Sequence, residues 1–316
     1  CACGLVFITG YNMVSGVLRG LGDSKRPMYF VLVACIINIV GDLLLVGVFG
    51  LGAAGAALAT IISQGLSALW VVRFLLGKKT GLRIRRENLG LDWKLYGPCL
   101  ALGLSPFIMQ STEGVISVCF NASLQRYGGD LAVGAMTILA SVMQFSMLPL
   151  QGLTQGAQPI ISYNFGAKNA RRVKSAFRLL LICCLSYSAL LWLLAMVFPG
   201  TLASIFATDK TLISYSAWAM RIYMAASVIF GAQIACQQTF IALGNAKTSL
   251  FLAVLRKIIL LIPLILILPL LFRTGEEKAM AVFLAEPVAD TLAVLTTVCT
   301  FACQFRKTMK DLEETA

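Results

Sequence analysis

The 316-residue chain contains no histidine, and this absence excludes several kinds of active site. Zinc centres with histidine ligands, serine–histidine hydrolysis and proton relays through imidazole all depend on that residue. A Gly-x-x-x-x-Gly-Lys motif is missing as well, so transport driven by the chain's own ATP hydrolysis is not expected. No Cys-x-x-Cys pair occurs among the ten cysteines, which are expected to be buried thiols rather than metal ligands. The sequence therefore predicts a protein that is not an enzyme and holds no cofactor.

Charged residues are scarce, at 13% of the chain, whereas hydrophobic residues make up 59%. A soluble globular domain has about 25% charged and roughly 45–50% apolar residues. Apolar runs of about 20 residues, each long enough to cross a bilayer, recur along the whole chain. About nine such runs are centred on residues 4–18, 28–49, 53–76, 96–122, 131–155, 177–206, 212–242, 249–272 and 279–303. This pattern predicts an all-α integral membrane protein, a polytopic helix bundle.

The net charge of +12 comes from 26 basic and 14 acidic residues, and its distribution is uneven. If the runs cross the bilayer alternately, about 21 of the basic residues fall on one side, which the positive-inside rule assigns to the cytoplasm. The basic clusters, including 247–257 and 306–310, are therefore interpreted as topology signals that contact lipid headgroups. We expect a multi-pass protein with a cytoplasmic C-terminus, membrane lipid as a neighbour and no nucleic-acid partner.

Two pairs of segments suggest an internal duplication. LGDSK at Leu21–Lys25 resembles LGNAK at Leu243–Lys247, and both open an apolar run. GAALATIISQ at Gly55–Gln64 resembles AVFLAEPVAD at Ala281–Asp290. The two pairs occur in the same order at offsets of about 222 and 226 residues, as expected of parallel repeats with an even number of helices each.

The predicted duplication divides the chain into four parts. Residues 1–76 hold three helices of the first copy, 77–94 form a cytoplasmic linker, 95–305 hold six helices of the second copy, and 306–316 form a cytoplasmic tail. A complete first copy would start about 130 residues before Cys1, which itself lies in an apolar segment. We therefore expect an N-terminally truncated part of a twelve-helix protein of roughly 440–450 residues, built as a two-lobed parallel six-helix repeat.

Several ordered motifs resemble the multidrug and toxic compound extrusion family. They are NMVSGVLRGLGDSKRP (Asn12–Pro27), NIVGD (Asn38–Asp42), GLGAAGAALATIISQ (Gly50–Gln64), GLTQGAQPIISYNFGAKNARRV (Gly152–Val173) and EPVAD (Glu286–Asp290). The resemblance covers helices four to twelve of the family and is strongest to its bacterial drug exporters. It implies a monomer in the bacterial cytoplasmic membrane that exchanges a small-molecule drug or organic cation for external Na⁺ or H⁺ by alternating access.

Asn38 and Asp42 lie in the middle of an apolar run, four residues apart and therefore on one helical face. An ionised carboxylate at the bilayer centre costs roughly 2.5–3.5 kcal/mol on insertion scales, so such residues usually handle ions or substrate. The resemblance implies a first-lobe cation site made by these two residues with Thr60. Hard oxygen ligands suit Na⁺, whereas burial favours the protonated acid and suits proton exchange. The alternative is an Asn–Asp pair that only links helices by hydrogen bonds.

Glu113 is a second acid within an apolar run. The resemblance implies a cation or proton site in the second lobe, but the acid expected on the family's tenth helix is replaced by glutamines. Gln233 and Gln237 are therefore predicted to line the substrate cavity, where a glutamine could hydrogen-bond to Glu113. The alternative is that Glu113 is a buried, protonated structural acid.

Glu286 and Asp290 flank Pro287 on the last run. A proline in a membrane helix frees backbone carbonyls, which suits a helix beside a moving cavity. Both acids are predicted to line the substrate cavity, although Glu286 could instead lie solvated at the external interface. All charges placed in the membrane interior by this reasoning are acidic and unpaired, which favours a cationic substrate. The alternative function is a flippase for lipid-linked precursors, whose cavity would be cationic.

Overall fold

A computed structural model of the chain describes residues 4–20, 23, 25–76 and 93–314, and these residues contain helices and no strand. The chain forms two compact units, Cys1–Asp92 and Trp93–Ala316. Apart from Trp93 and Lys94, the predicted linker at 77–94 lies outside the described residues, as do three residues of the LGDSK segment. The all-α, polytopic architecture predicted from the apolar runs is confirmed.

The first unit contains three apolar helices. These are α1 (Leu5–Gly20), α2 (Lys25–Asp42), which continues as a π-helical segment (Leu43–Val48), and α3 (Gly52–Leu76). A small core of Leu18, Phe30 and Val71 joins the three, with Trp70 edge-on to Phe30 at 5.0 Å between ring centroids.

The second unit contains eight helices and two short segments of other helical type. They are α4 (Trp93–Gly166), α5 (Ala170–Val197), α6 (Pro199–Ser204), α7 (Lys210–Tyr223), α8 (Ser227–Ala242), α9 (Ala246–Val254), a π-helical segment (Leu255–Leu261), α10 (Ile262–Ile267), a 3₁₀ segment (Leu268–Leu271) and α11 (Gly275–Glu314). α4 is broken at Gly129, where φ is 65° and ψ is −163°, so it consists of two helices. Glycine adopts this backbone conformation without the strain that a Cβ atom would add.

Each predicted apolar run falls on a helix or on a series of consecutive helices among the described residues. Six helices there are long and apolar enough to cross a membrane, or up to seven when α7 and α8 count as one bent span. The run predicted at 212–242 is this pair, which bends by 53°. At the bend, the indole Nε1 of Trp192 donates a hydrogen bond of 3.1 Å to the carbonyl oxygen of Ala225, so a backbone group freed by the break is satisfied.

The core of the second unit is apolar and extends from α4 to α11. Its fully buried side chains include Phe120, Leu139, Met220 and Phe283. At Gly231, α8 packs so closely on α5 that an added Cβ would overlap the carbonyl oxygen of Cys184. These contacts fix α11 against its neighbours and thereby position the polar residues that α11 carries.

Candidate functional site

The main polar cluster of the second unit joins α11 to the preceding π-helical segment. Glu286 and Asp290 lie one turn apart on α11, and Arg256 extends to both from the π-helical segment. Arg256 Nε donates to Asp290 Oδ1 at 2.7 Å, and Arg256 Nη2 donates to Glu286 Oε1 at 3.3 Å. All three residues are buried, with 5% or less of their surface exposed. The alternative that Glu286 is solvated at an interface is therefore wrong.

The guanidinium of Arg256 has an aromatic neighbour as well as its two carboxylates. Its Cζ lies 4.4 Å from the centroid of the Phe230 ring on α8, in a cation–π contact. Tyr223, at the end of α7, is buried and lies close enough to Arg256 and Glu286 to interact with them electrostatically. The cation is thus surrounded by side chains from α7, α8 and α11.

Lys257 follows Arg256 directly and faces a different helix. Consecutive residues of a helix point in different directions around its axis, so the two cations diverge. Lys257 Nζ forms an ion pair of 2.7 Å with Glu113 Oε1 on α4. The side chain of Lys257 is 7% exposed and that of Glu113 is 54% exposed. One π-helical segment, a feature that is frequent at functional sites, therefore links carboxylates on α4 and α11.

Two expectations for Glu113 are corrected by this geometry. The sequence predicts a buried acid, but the side chain of Glu113 is half exposed. The sequence also predicts a glutamine as its hydrogen-bond partner, but the partner is Lys257. A lysine is the stronger partner because its charge compensates that of the carboxylate.

The expectation that the interior charges are all acidic and unpaired is also wrong. Arg256 and Lys257 are each 5% exposed and compensate the acids. The sign of their charge alone assigns both to the predicted cytoplasmic cluster at 247–257. Their depth is visible in the sequence: at 1.5 Å per residue, Arg256 lies about 13 Å along the helix from Lys247, with apolar residues on both sides. The distance of a basic residue from the end of its apolar run, considered together with its charge, therefore identifies Arg256 and Lys257 as interior cations.

Gln233 and Gln237 are buried on α8, with 2% and 3% exposure. Gln233 lies one turn beyond Phe230 and hence on the same helical face. Its Oε1 is buried without a hydrogen-bond partner among the described residues. A buried, unpaired carbonyl oxygen is costly, so this atom is a candidate acceptor for a ligand or a water molecule.

Two cavities of the second unit lie near these helices. One, of about 470 Å³, is bordered by the start of α6 and by Trp218 and Arg221 of α7. The other, of about 410 Å³, lies between the α7–α8 bend and Pro287 and Thr291 of α11. Neither cavity is lined by the four residues predicted to face substrate, so that role stays a prediction.

In the first unit, the structure brings Asn38 and Thr60 together between α2 and α3. Asn38 Nδ2 donates to Thr60 Oγ1 at 3.5 Å, while Thr60 Oγ1 donates to the carbonyl oxygen of Ala56 at 2.9 Å. The helices approach closely here: a Cβ added at Gly41 would lie 3.0 Å from the Cβ of Ala59. The predicted proximity of Asn38 and Thr60 is therefore present in the structure.

Asp42 ends α2, one turn beyond Asn38, where the helix becomes π-helical. Its Oδ1 is buried and has no hydrogen-bond partner among the residues that the structure describes. Within the same residues, no lysine or arginine lies within ion-pair distance of its carboxylate. The donor set of carboxylate, amide and hydroxyl oxygens matches what a hard cation prefers. A proton on Asp42 would instead remove the negative charge of the carboxylate.

The chain resembles known membrane transporters in sequence and in structure. A MatE family model matches residues 106–267, which is just over half of the chain. The multidrug export protein MepA of Staphylococcus saprophyticus is 23% identical over 290 residues, or 92% of this chain and 63% of MepA. The probable multidrug resistance protein YpnP of Bacillus subtilis is 31% identical over 173 residues, or 54% of this chain and 38% of YpnP.

A solved structure shows the same helix arrangement. The MATE multidrug transporter DinF-BH superposes with a TM-score of 0.82 at 31% identity, over 94% of this chain and 65% of that one. The chain thus spans only part of the length of each of these relatives, with 63% for MepA.

Proposed function

The chain belongs to the MatE family of multidrug and toxic compound extrusion proteins, and from that premise we propose that the complete protein exports drugs or organic cations. The membrane-spanning helices and the relatives named as multidrug exporters support this activity. We assign it to the bacterial cytoplasmic membrane, with the C-terminus in the cytoplasm because the basic residues concentrate on that side. The proposed transporting unit is the monomer, as the family resemblance implies.

The proposed mechanism is exchange of the drug for an external Na⁺ or H⁺ by alternating access. The observation that carries it is the buried Oδ1 of Asp42, which lacks a partner among the described residues. A carboxylate in a membrane protein is costly unless a cation or a proton compensates it. Asn38 and Thr60, one helical turn away and on the facing helix, supply further oxygens for the ion. Binding and release of that ion would then drive the change between the two access states.

The test is uptake of tetraphenylphosphonium by proteoliposomes that contain the complete gene product, with Na⁺ and pH gradients imposed separately. We expect uptake to follow one of the two gradients and to be lost in Asp42→Asn. The matched control is Asp130→Asn, which removes an exposed carboxylate that accepts a hydrogen bond from Gln125 and should leave uptake unchanged. Uptake that follows neither gradient would contradict coupled cation export.

The second candidate function is flipping of lipid-linked precursors. The buried cations Arg256 and Lys257 favour it, because they remove the argument that the interior charges are purely acidic. Both cations already form ion pairs with carboxylates, however, and would therefore attract an anionic headgroup less strongly. Translocation of a fluorescent polyprenyl diphosphate in the same vesicles, without uptake of tetraphenylphosphonium, would identify the protein as a flippase.

A further inference from the structure

The ion pairs of the second unit form one cluster with an unbalanced charge. Arg256 contacts Glu286 and Asp290, and the adjacent Lys257 contacts Glu113. Three carboxylates thus face two cations, which leaves one net negative charge when all five side chains are ionised. Four of the five are buried. Because a net charge is costly in a medium of low dielectric constant, this cluster is expected to bind one proton or one monovalent cation.

The geometry distinguishes the three carboxylates. Asp290 accepts a bond of 2.7 Å from Arg256, and Glu113 is half exposed and lies 2.7 Å from Lys257. Glu286 has the longest contact, 3.3 Å, and its other oxygen, Oε2, is buried without a hydrogen-bond partner among the described residues. The charge of Glu286 is therefore the least stabilised of the three. A proton on Oε2 would neutralise the cluster, and unlike a metal ion it would need no cavity beside the carboxylate.

We propose that Glu286 is the exchangeable proton site of the second unit, and that a drug cation at the half-exposed carboxylate of Glu113 displaces this proton. This inference rests on the proposed function and names its coupling ion. The groups that face Glu286 are Asp290 on the same helix, Arg256 and Lys257 on the π-helical segment, Glu113 on α4 and Tyr223 on α7. Glu286 differs from these groups because it alone of them combines burial with a carboxylate oxygen that is unpaired among the described residues.

The proton and the drug cation compete with each other because of the charge balance of the cluster. A proton on Glu286 and a drug cation beside Glu113 each supply the single positive charge that the cluster lacks. The two positions are connected through the adjacent residues Arg256 and Lys257, whose bonds would redistribute when either ligand binds. By linkage, the drug must release a proton, and raising the pH until Glu286 is ionised must tighten drug binding.

The internal repeat supports the choice of Glu286. When GAALATIISQ is aligned with AVFLAEPVAD, Thr60 corresponds to Glu286 and Gln64 to Asp290. Thr60 contacts Asn38 on the preceding long helix, just as Glu286 contacts Arg256. The proton site of the second unit thus occupies the position that the first unit uses in its own candidate ion site.

The test measures protons with the complete protein in detergent. Titration with tetraphenylphosphonium in buffers of different ionisation enthalpy counts the protons released, and infrared difference spectra between low and high pH report the protonated carboxyl group directly. We expect wild type to release about one proton per cation below the pH at which Glu286 ionises. Glu286→Gln should release about one proton fewer than wild type and should lose one protonated-carboxyl band, whereas Glu286→Asp should retain both signals. Glu276→Gln, an exposed glutamate on the same helix, is the matched control.

Two outcomes would overturn the proton site while the export function stands. One is proton release by Glu286→Gln at the wild-type level, and the other is uptake driven by a Na⁺ gradient alone. If the vesicles take up no probe under any gradient, the export function fails, and loss of the infrared band in Glu286→Gln still establishes where the proton binds. If Glu286→Gln does not fold, Arg256→Gln combined with Asp290→Asn replaces it: this variant keeps the net charge of the cluster and must keep the proton.

Discussion

Both units place polar residues between the last long helix and the helical segment that precedes it, and they compensate these residues differently. In the first unit, Asn38 contacts Thr60 between the last two long helices, and Asp42 has a buried oxygen without a partner among the described residues. In the second unit, Arg256 contacts Glu286 and Asp290 between the π-helical segment and the last helix. The difference shows what decides the role of a buried acid. In the second unit the chain supplies cations for all but one of the carboxylate charges, whereas in the first unit no cation among the described residues pairs with Asp42, so that its whole charge is left to an external ion.

The largest expected effect is removal of Arg256, the cation that pairs with both carboxylates of α11. Arg256→Met takes away the ion-pair partner of the buried Asp290 and Glu286, which should lower the free energy of unfolding by about 3–5 kcal/mol. Unfolding of the complete protein by SDS in mixed micelles measures this change. Arg171→Met, which removes an exposed arginine at the start of α5, should have little effect.

The same logic predicts a rescue of that variant. When Arg256→Met is combined with Glu286→Gln and Asp290→Asn, no uncompensated charge remains between the π-helical segment and α11. The triple variant should therefore regain most of the lost stability, because neutral groups replace a buried ion cluster at low cost. A triple variant as unstable as Arg256→Met would show that Arg256 stabilises the unit by packing on Phe230 rather than by compensating charge.

The next effect compares one aspartate from each unit. Asp290→Asn removes a charge-assisted bond of 2.7 Å and should cost about 1.5–3 kcal/mol of unfolding free energy. Asp42→Asn removes a carboxylate that has no cation partner among the described residues, so its stability should stay the same or rise. The two variants are compared by the same SDS titration. Equal destabilisation by both would mean that Asp42 is compensated within the folded protein, and the difference between the units would disappear.

The sequence predicts the helices and the acids but not the basic residues that compensate them. Apolar run length is a local property, so each predicted span coincides with a helix or helices of the structure. The sign of a charge and its depth along a helix are local too, but the partner that compensates it depends on packing. Glu113 and Lys257 are 144 residues apart in the chain, and no spacing rule connects them. Asn38 and Thr60 are linked in the sequence only through the family resemblance, because their contact likewise depends on how two helices pack.

The bend between α7 and α8 is hidden from the sequence for a related reason. The run at 212–242 is mostly apolar and contains no proline, so its pattern favours one straight helix. The bend is stabilised by a contact that lies outside the run, namely the hydrogen bond from Trp192 to Ala225. A backbone group that loses its hydrogen bond at a break can pair with a side chain from any part of the fold, and a local sequence pattern does not contain that information.

A smaller effect tests whether helix contacts near each cluster are equally tight. Gly231→Ala in the second unit places a Cβ against Cys184 and Ser188 and should cost about 1–3 kcal/mol of unfolding free energy. Gly41→Ala in the first unit meets the side chain of Ala59, at 3.0 Å, and should cost less. Gly152→Ala, which has open space around it, is the control and should stabilise α4 slightly. If Gly41→Ala were the more damaging variant, the first unit would be the more rigid of the two.

The smallest effect concerns the strength of the hydrogen bond between Asn38 and Thr60 in the candidate ion site of the first unit. A double-mutant cycle of Asn38→Ala with Thr60→Val should give a coupling energy of about 0.6 kcal/mol or less, as is usual for hydrogen bonds between membrane helices. The distance of 3.5 Å is at the outer limit for such a bond, and the Thr60 hydroxyl already donates to Ala56. A weak contact leaves the oxygens of both residues free to reorient toward an ion beside Asp42. A coupling above about 1.5 kcal/mol would instead describe a closed pair. Asn38 and Thr60 would then be firmly paired with each other, and Asp42 alone would have to bind the ion.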